Sequence, residues 1–385
     1  MDFAFTTEQK AFREEIRDFL GTQSTPEVRG PTGESDDSWE NLRGFIHRLA
    51  DKRWLTLGWP REHGGLAADP MQQLVYNEEM AYQRAPTQIG VGPDRVGPTI
   101  MLYGTEQQQR DFLPAIAGGD AIFCQGFSEP GAGSDLASLQ TRAVLQGDDY
   151  VVNGQKIWTS WAHRADWMVL LARTDPDAPK HRGISYLLLD MKSPGVTVRP
   201  LVDMLGDSHF NEVYFEDVHV PRTNLVGEEN RGWYVGTATL DFERSGINRI
   251  ISGYKTFEEL VEYCRSERPS SLASTRNRLA DIKIEFETGR LLSYRVAWMQ
   301  AQSMVPNTEA SISKLLGTEL QAKLARLGLQ IVGLPGALRA GSPWAALRGR
   351  LERYYLYTAS LTVAAGTSEV MRNIIAMRGL GLPRQ

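Results

Sequence analysis

The chain has 385 residues, enough for two or three domains around sizeable cores, and its 42% hydrophobic and 23% charged content is ordinary for a soluble globular protein. Forty-two Lys and Arg against 47 Asp and Glu leave a net charge of −5, and with no basic run or zinc-ligand spacing this argues against a nucleic-acid binder. Cys124 and Cys264 lie far apart and away from any histidine in a nucleophile-like context, so both are expected to be packing residues in a reducing compartment, without disulfides. The first residues lack the basic and apolar regions of a signal peptide, and no apolar run approaches the length of a membrane span. A cytoplasmic protein with no membrane association is expected.

In chain order, residues 1–122 have helical periodicity. Thr6 followed by Gln9 forms a capping box, with Phe12, Ile16, Phe19 and Leu20 as one apolar stripe behind it. Asp69 caps a second helix with Pro70 at its first position, and a third runs from Thr105 to Ile116, ended by Gly118-Gly119. Between the first two lies a turn-rich connector, Leu57 to Gly65; its His63 has no metal partner at ligand spacing, so it is expected to be a loop residue. From about residue 123 the period changes. Short β runs are predicted at Tyr150–Val152, Ala165–Arg173, Ile184–Leu189, Val196–Val198 and Val213–Val220, separated by turn clusters such as Asp175-Pro176-Asp177. Strands without intervening helices predict a small antiparallel sandwich or barrel. From Arg231 helical periodicity returns, with long helices predicted over 231–265, 273–304 and 308–332 and shorter ones near 345–360 and 366–378. The expected organisation is an N-terminal α-helical domain (1–122), a β-domain (123–230) and a C-terminal α-helical bundle (231–385).

Two stretches carry the chemistry. Gly126-Phe127-Ser128-Glu129-Pro130-Gly131-Ala132-Gly133-Ser134-Asp135 holds three glycines that let backbone N–H groups approach a ligand, and two hydroxyls. By composition alone it is equally an ordinary surface loop. About twenty residues on, Val151-Val152-Asn153-Gly154-Gln155-Lys156-Ile157-Trp158-Thr159-Ser160 predicts a strand, an Asn-Gly hairpin turn and a returning strand that ends in an aromatic and two hydroxyls. Together they suit a large, flat, phosphate-bearing cofactor. Trp158 taken alone would equally fill a strand core.

These paired motifs resemble the flavin-binding strands of the acyl-CoA dehydrogenases, and the resemblance extends from Phe3 to Pro383. It implies a mostly α fold with a central β-domain, FAD as cofactor, and α,β-desaturation of an acyl-CoA thioester, with a carboxylate taking the α-proton and flavin N5 the hydride. In most members the base is a Glu directly before a Gly-Thr pair near the C-terminus. Here Ala365 precedes Gly366-Thr367, so that base is missing. One branch of the family takes the base instead from a Glu-Arg pair on an earlier helix, and Glu243-Arg244 matches it, within Thr239-Leu240-Asp241-Phe242-Glu243-Arg244-Ser245. A solvated charged helix face is the alternative for that run. The Ala365 N–H survives the replacement, so the donor to the thioester oxygen need not be lost.

By the same resemblance, Gln125, Phe127, Ser128 and Gly133 with Trp158, Thr159 and Ser160 are cofactor contacts, Ser160 supplying a hydroxyl near N5. Gln330, Gly333, Gly366, Thr367 and Glu369 are further cofactor contacts; Ser134, Asp241, Arg244 and Ala365 fall at substrate positions. Two features depart from the pattern. Leu334 replaces a usual Gly in the segment that reaches a neighbouring subunit's FAD, and Arg268-Pro269-Ser270-Ser271-Leu272 stands where an Arg-x-x-Phe-Gly element normally holds the diphosphate. With Ser342 to Arg353, these departures resemble the bacterial enzymes that act on sterol side-chain thioesters as α2β2 tetramers. The small residues Ala364, Ala365, Ser245 and Gly246 would suit a bulky, branched or sterol-derived acyl group. Implied partners are the acyl-CoA substrate, an electron-transfer flavoprotein as acceptor, and further subunits in a homotetramer or α2β2 heterotetramer. A non-catalytic partner subunit and a flavin oxidase or monooxygenase on the same fold are the alternatives.

Overall fold

The computed structural model describes residues 4–24, 36–240, 246–267 and 272–383. The chain divides into two compact units, one made of Met1–Ser24, Asp69–Ala85 and Arg244–Gln385, the other of Thr25–Ala68 and Pro86–Glu243.

The first unit is helical. Its elements are α1 (Thr7–Gln23), α3 (Pro70–Tyr82), α7 (Ile247–Ile251), α8 (Tyr254–Glu267), α9 (Leu272–Ala301), α10 (Asn307–Val332), α11 (Arg350–Leu361) and α12 (Ser368–Ile374). The expected caps are present: Thr6 and Gln9 close a reciprocal capping box, as do Asp69 and Gln72, with Pro70 starting the helix. Leu74, Ile250, Phe257, Ile282, Phe286, Leu320 and Leu324 form the core. Ile250 sits in a notch of two glycines, since a Cβ on Gly289 of α9 or Gly317 of α10 would lie 2.6 or 2.9 Å from its Cδ1. Buried charge ties α1 and α9 to α3. The Glu78 carboxylate accepts from Arg13 at 2.7 Å and from the Tyr294 hydroxyl, while Arg17 holds Glu79. The predicted single helix over 231–265 is not continuous. It is split into a helix over Gly232–Leu240, α7 and α8, and the entry to α7 is Gly246, whose φ of +68° is left-handed backbone that helical periodicity cannot reveal.

The second unit contains α2 (Asp36–Asp51), α4 (Gly97–Tyr103), α5 (Glu106–Gly118) and α6 (Gly232–Leu240) around a seven-stranded sheet. The strands are β1 (Phe123–Gly126), β2 (Arg142–Gln146), β3 (Asp149–Lys156), β4 (Trp167–Arg173), β5 (Ile184–Asp190), β6 (Val196–Leu201) and β7 (Phe210–Pro221). The path runs β1-β4-β2-β3-β7-β6, with β5 antiparallel on the free edge of β4. On the other edge of β4, β1 pairs parallel along Trp167–Leu170 and β2 takes over at Arg173, so two strands share one edge and the sheet curls. Cys124 and Cys264 are both free and buried, and burial raises both thiols. Among the described residues, no helix is long and apolar enough to cross a membrane.

The expected hairpin at Asn153-Gly154 is not there. β3 runs unbroken through both residues, and the hairpin is made earlier, by the two-residue Gly147-Asp148 turn that joins β2 to β3, with Gly147 at φ +63°. Asn153 instead holds a bulge in β7: its amide donates to the Asp217 carboxylate at 2.9 Å and accepts from the Asp217 N–H at 3.0 Å. Asp217 absorbs the extra residue at φ +49°. Gly154 has a φ of +148°, and a Cβ there would meet Thr141 Cα at 2.8 Å. Gly154→Ala therefore strains the backbone and pushes β2 from β3, with an expected loss of about 1–3 kcal/mol read from urea unfolding midpoints.

Candidate functional site

The glycine-rich loop leaves β1 at Gly126 and is shaped by buried charge. The Glu129 carboxylate accepts the Gln140 N–H at 2.6 Å, the Thr141 N–H at 2.8 Å and the Lys156 ammonium at 2.8 Å. Lys156 is fully buried and donates also to the Phe127 carbonyl at 3.0 Å. Burial opposes both charges. It lowers Lys156 to about 8 against the pull of Glu129, whereas at Glu129 the burial effect is outweighed by Lys156 and the two amides, and the carboxyl lies below its ordinary range. Ile157 N–H donates to Ser128 O at 3.0 Å, so loop and strand are joined by backbone as well.

Within this frame Phe127 is buried, edge-on to Tyr186, and Gln125 accepts from Arg95 at 2.7 Å. Glu129 and Ala132 exchange both backbone hydrogen bonds across Pro130-Gly131. A Cβ on Gly131 or Gly133 would meet nothing, so both face open space, and Ser134 is exposed. Beyond β3, Trp158 has a φ of +60° and is 61% exposed, its ring edge-on to Phe210. It does not fill a strand core. The fully buried Asn211 clamps the next residue, since Thr159 N–H donates to Asn211 O at 3.0 Å and the Asn211 amide donates to Thr159 O at 2.9 Å. The Thr159 hydroxyl is buried with no hydrogen-bond partner. Ser160 follows, half-buried.

In the helical unit, Ala365 (φ +52°) and Gly366 (φ +92°) form a left-handed turn between α11 and α12. Thr367 caps α12, accepting the Val370 N–H at 3.2 Å. Glu369 lies exposed in its first turn, where its own amide and the Thr367 hydroxyl hold the carboxyl below its ordinary value. Ser368 is buried and its hydroxyl has no partner. Lys314, on α10 and 6% exposed, donates to Gly366 O at 2.5 Å and Leu361 O at 3.3 Å; burial, then Arg249, lowers it to about 8. Gln330 and Gly333 are not brought to this turn. They stand sixteen or more residues farther along α10, about 24 Å along its axis. Gln330 accepts from Arg278, and Leu334 beyond it is 86% exposed. Asp241, Glu243 and Arg244 lie outside the described residues, as do Ser245 and residues 268–271.

Glu129, Lys156, Asn211 and Lys314 are the supports that pattern reading missed. Lys156 was accessible in principle, because it shares the parity of Tyr150 and Val152 and so points inward once the strand is read as continuous. Asn211 and Lys314 act across 52 residues each, on Thr159 and Gly366, and no local signal marks them.

Models of the acyl-CoA dehydrogenase N-terminal, middle and C-terminal domains match residues 6–120, 124–218 and 230–380. Acyl-CoA dehydrogenase FadE26 of Mycobacterium tuberculosis is 39% identical, over 100% of this chain and 99% of that protein. Among solved structures, the Tcur3481-Tcur3483 steroid ACAD superposes with a TM-score of 0.91 at 34% identity, covering 100% of both chains. The ChsE4-ChsE5 complex from Mycobacterium tuberculosis superposes with a TM-score of 0.90 at 39% identity, again over 100% of both chains.

The buried pair sets the acid response of the β-unit. Because the Glu129 carboxyl is lowered in the folded state, its stabilisation is present above its ordinary value of 4.5 and lost as pH falls through the folded value. Glu129→Gln is expected to remove part of the acid dependence of the urea midpoint below pH 4.5. At pH 7 it should cost about 3–5 kcal/mol, because it strands the Lys156 charge.

Proposed function

The chain belongs to the acyl-CoA dehydrogenase family of FAD-dependent oxidoreductases, and from that membership we propose that it desaturates a bulky, sterol-derived acyl-CoA thioester, with Glu243 as the base. The observation that carries the reading is the joined pair of stretches, Gly126–Asp135 and Tyr150–Ser160, locked by Lys156 and Glu129 and ending at a buried hydroxyl with nothing to bond. A buried polar atom without a partner costs roughly 1–3 kcal/mol, so the lone Thr159 hydroxyl fits a bound polar group that would satisfy it. Ser368 presents the same feature in the helical unit, within the Gly366–Glu369 stretch assigned to cofactor contact. The open space at Gly131 and Gly133 fits close backbone approach to a large cofactor.

In this reading Gln125, Phe127, Ser128, Gly133, Trp158, Thr159 and Ser160 are the cofactor contacts of the β-unit, and Gly366, Thr367 and Glu369 are the cofactor contacts of the helical unit. Gln330 and Gly333 serve the cofactor of a neighbouring subunit, which accords with their distance from the 365–369 turn. FAD, when bound, accepts the β-hydride at N5. Glu243 takes the α-proton at its carboxylate, with Arg244 and Asp241 beside the substrate and Ser134 against its CoA portion. The Ala365 N–H donates to the thioester oxygen as negative charge develops there. With no carboxylate at 365, the base must come from elsewhere, and Glu243 is the matching position.

The similarity to a steroid ACAD, Tcur3481-Tcur3483, supports the substrate class, and the two-component make-up of that protein and of the ChsE4-ChsE5 complex supports an α2β2 heterotetramer with a related subunit. An electron-transfer flavoprotein is the proposed acceptor, in the cytoplasm, and the domain division at 122 and 230 is retained as part of this reading. The test is anaerobic mixing of purified protein with straight, branched and sterol-derived acyl-CoAs while the oxidised flavin band is followed. Sterol-derived thioesters are expected to bleach it, and Glu243→Gln should slow bleaching by about 10²–10⁴-fold with FAD retained. Bleaching by straight short acyl-CoAs only would sink the substrate class, and a yellow protein bleached by none would favour a non-catalytic partner subunit.

A further inference from the structure

We infer that Lys314 is a positioning residue for the reaction, whose buried ammonium holds the left-handed 365–366 turn so that the Ala365 amide stays aimed at the thioester oxygen. This rests on the role proposed for Ala365 above.

The turn leaves its carbonyls to be satisfied, as any helix end does. Ser360 O accepts from the Val363 and Ala364 N–H groups, Thr362 O from the Ser368 N–H, and Thr367 O from the Met371 N–H. Leu361 O at the end of α11 and Gly366 O both accept from Lys314 Nζ. One ammonium therefore fastens the end of α11 to the turn before α12. A cation also suits a helix C-terminus, where unsatisfied carbonyls concentrate negative charge. Methionine or leucine would occupy much of the same space without desolvating a charge, but neither could donate to the two carbonyls. The work of the lysine is geometric. Ala365 at φ +52° is unfavourable backbone for a residue with a Cβ, and it persists only if its surroundings hold it. The only side chain donating hydrogen bonds to Leu361 O or Gly366 O among the described contacts is Lys314.

The test uses the FAD-loaded full-length protein and Lys314→Met, which keeps an unbranched side chain one atom shorter and removes its charge. The thioester used is the one that bleaches the wild-type flavin, together with a non-reacting analogue for isotope-edited Raman of the bound carbonyl stretch. Lys314→Met should bind FAD and thioester with little change in KM, lose on the order of 100-fold in kcat, and show the carbonyl stretch returned towards that of free thioester. A wild-type stretch and kcat in Lys314→Met would overturn the inference, whatever happens to stability or FAD content. If Lys314→Met does not fold, Lys314→Ala is assayed with added n-propylammonium, which restores the missing atoms, and with propan-1-ol as the neutral equivalent. Recovery of kcat and of the stretch with the cation alone is expected; no recovery, or equal recovery with the alcohol, overturns it. Failure of the underlying reading looks different: there, wild-type protein is not bleached, or Glu243→Gln bleaches as fast as wild type.

Discussion

The Glu129 carboxylate gathers three donors from two parts of the chain: the Gln140 and Thr141 amides that lead into β2, and the Lys156 ammonium at the end of β3. Both charges are buried, so each would be costly alone, and together they fix a loop whose apolar anchors are Phe127 and Ala132. Phe127 is held through its carbonyl by the same ammonium, and Ser128 through its carbonyl by Ile157. The glycines on the far side are left facing open space, and the strand continuation through Trp158 and Thr159 is set at a constant offset from them. Everything proposed for the β-unit depends on that one cluster. It adds buried electrostatic ties to the apolar packing that holds the rest of the unit.

The helical unit solves a similar problem with a different counter-group. Lys314 is also buried and also lowered to about 8, yet its ammonium is satisfied by two carbonyls and no carboxylate bonds to it. A carboxylate partner would neutralise the lysine, whereas carbonyls only solvate it, so the positive charge persists beneath the 361–366 turn. The buried Thr159 and Ser368 hydroxyls, one in each unit, have no hydrogen-bond partner. Both fall within stretches assigned to cofactor contact, which is what makes them informative.

Much of this architecture was legible in the sequence because it rests on local rules. The Thr6 and Asp69 caps, the glycine stop after Ile116 and the change of period near residue 123 each depend on neighbours within a few positions. The errors also have local causes. Asn-Gly is the strongest two-residue hairpin signal, and here Asn153 instead clamps a bulge in the neighbouring strand while Gly154 lies against Thr141. Once Asn153-Gly154 is taken for a turn, the inward parity of Lys156 disappears and with it the buried ion pair. Of the site, the stretches were visible through their glycines and hydroxyls. The supports were not, because Asn211 and Lys314 reach their targets across the fold, and pattern reading has no term for tertiary contact.

The placement of the β2–β3 hairpin has a consequence for how the unit assembles. β1 and β4 pair in parallel, so the chain between them, which includes the whole glycine loop and this hairpin, must be drawn into a closed loop before that pairing forms. A two-residue turn lets β2 and β3 zip within microseconds, while closure of β1 onto β4 is a slower, non-local event. Zipping brings Thr141 opposite the Gly154–Lys156 end of β3, and with it two of the groups that Glu129 will bind. The loop's shape is thus inherited from an early, local folding step, so a nascent chain can hold the cradle's framework before any ligand is present.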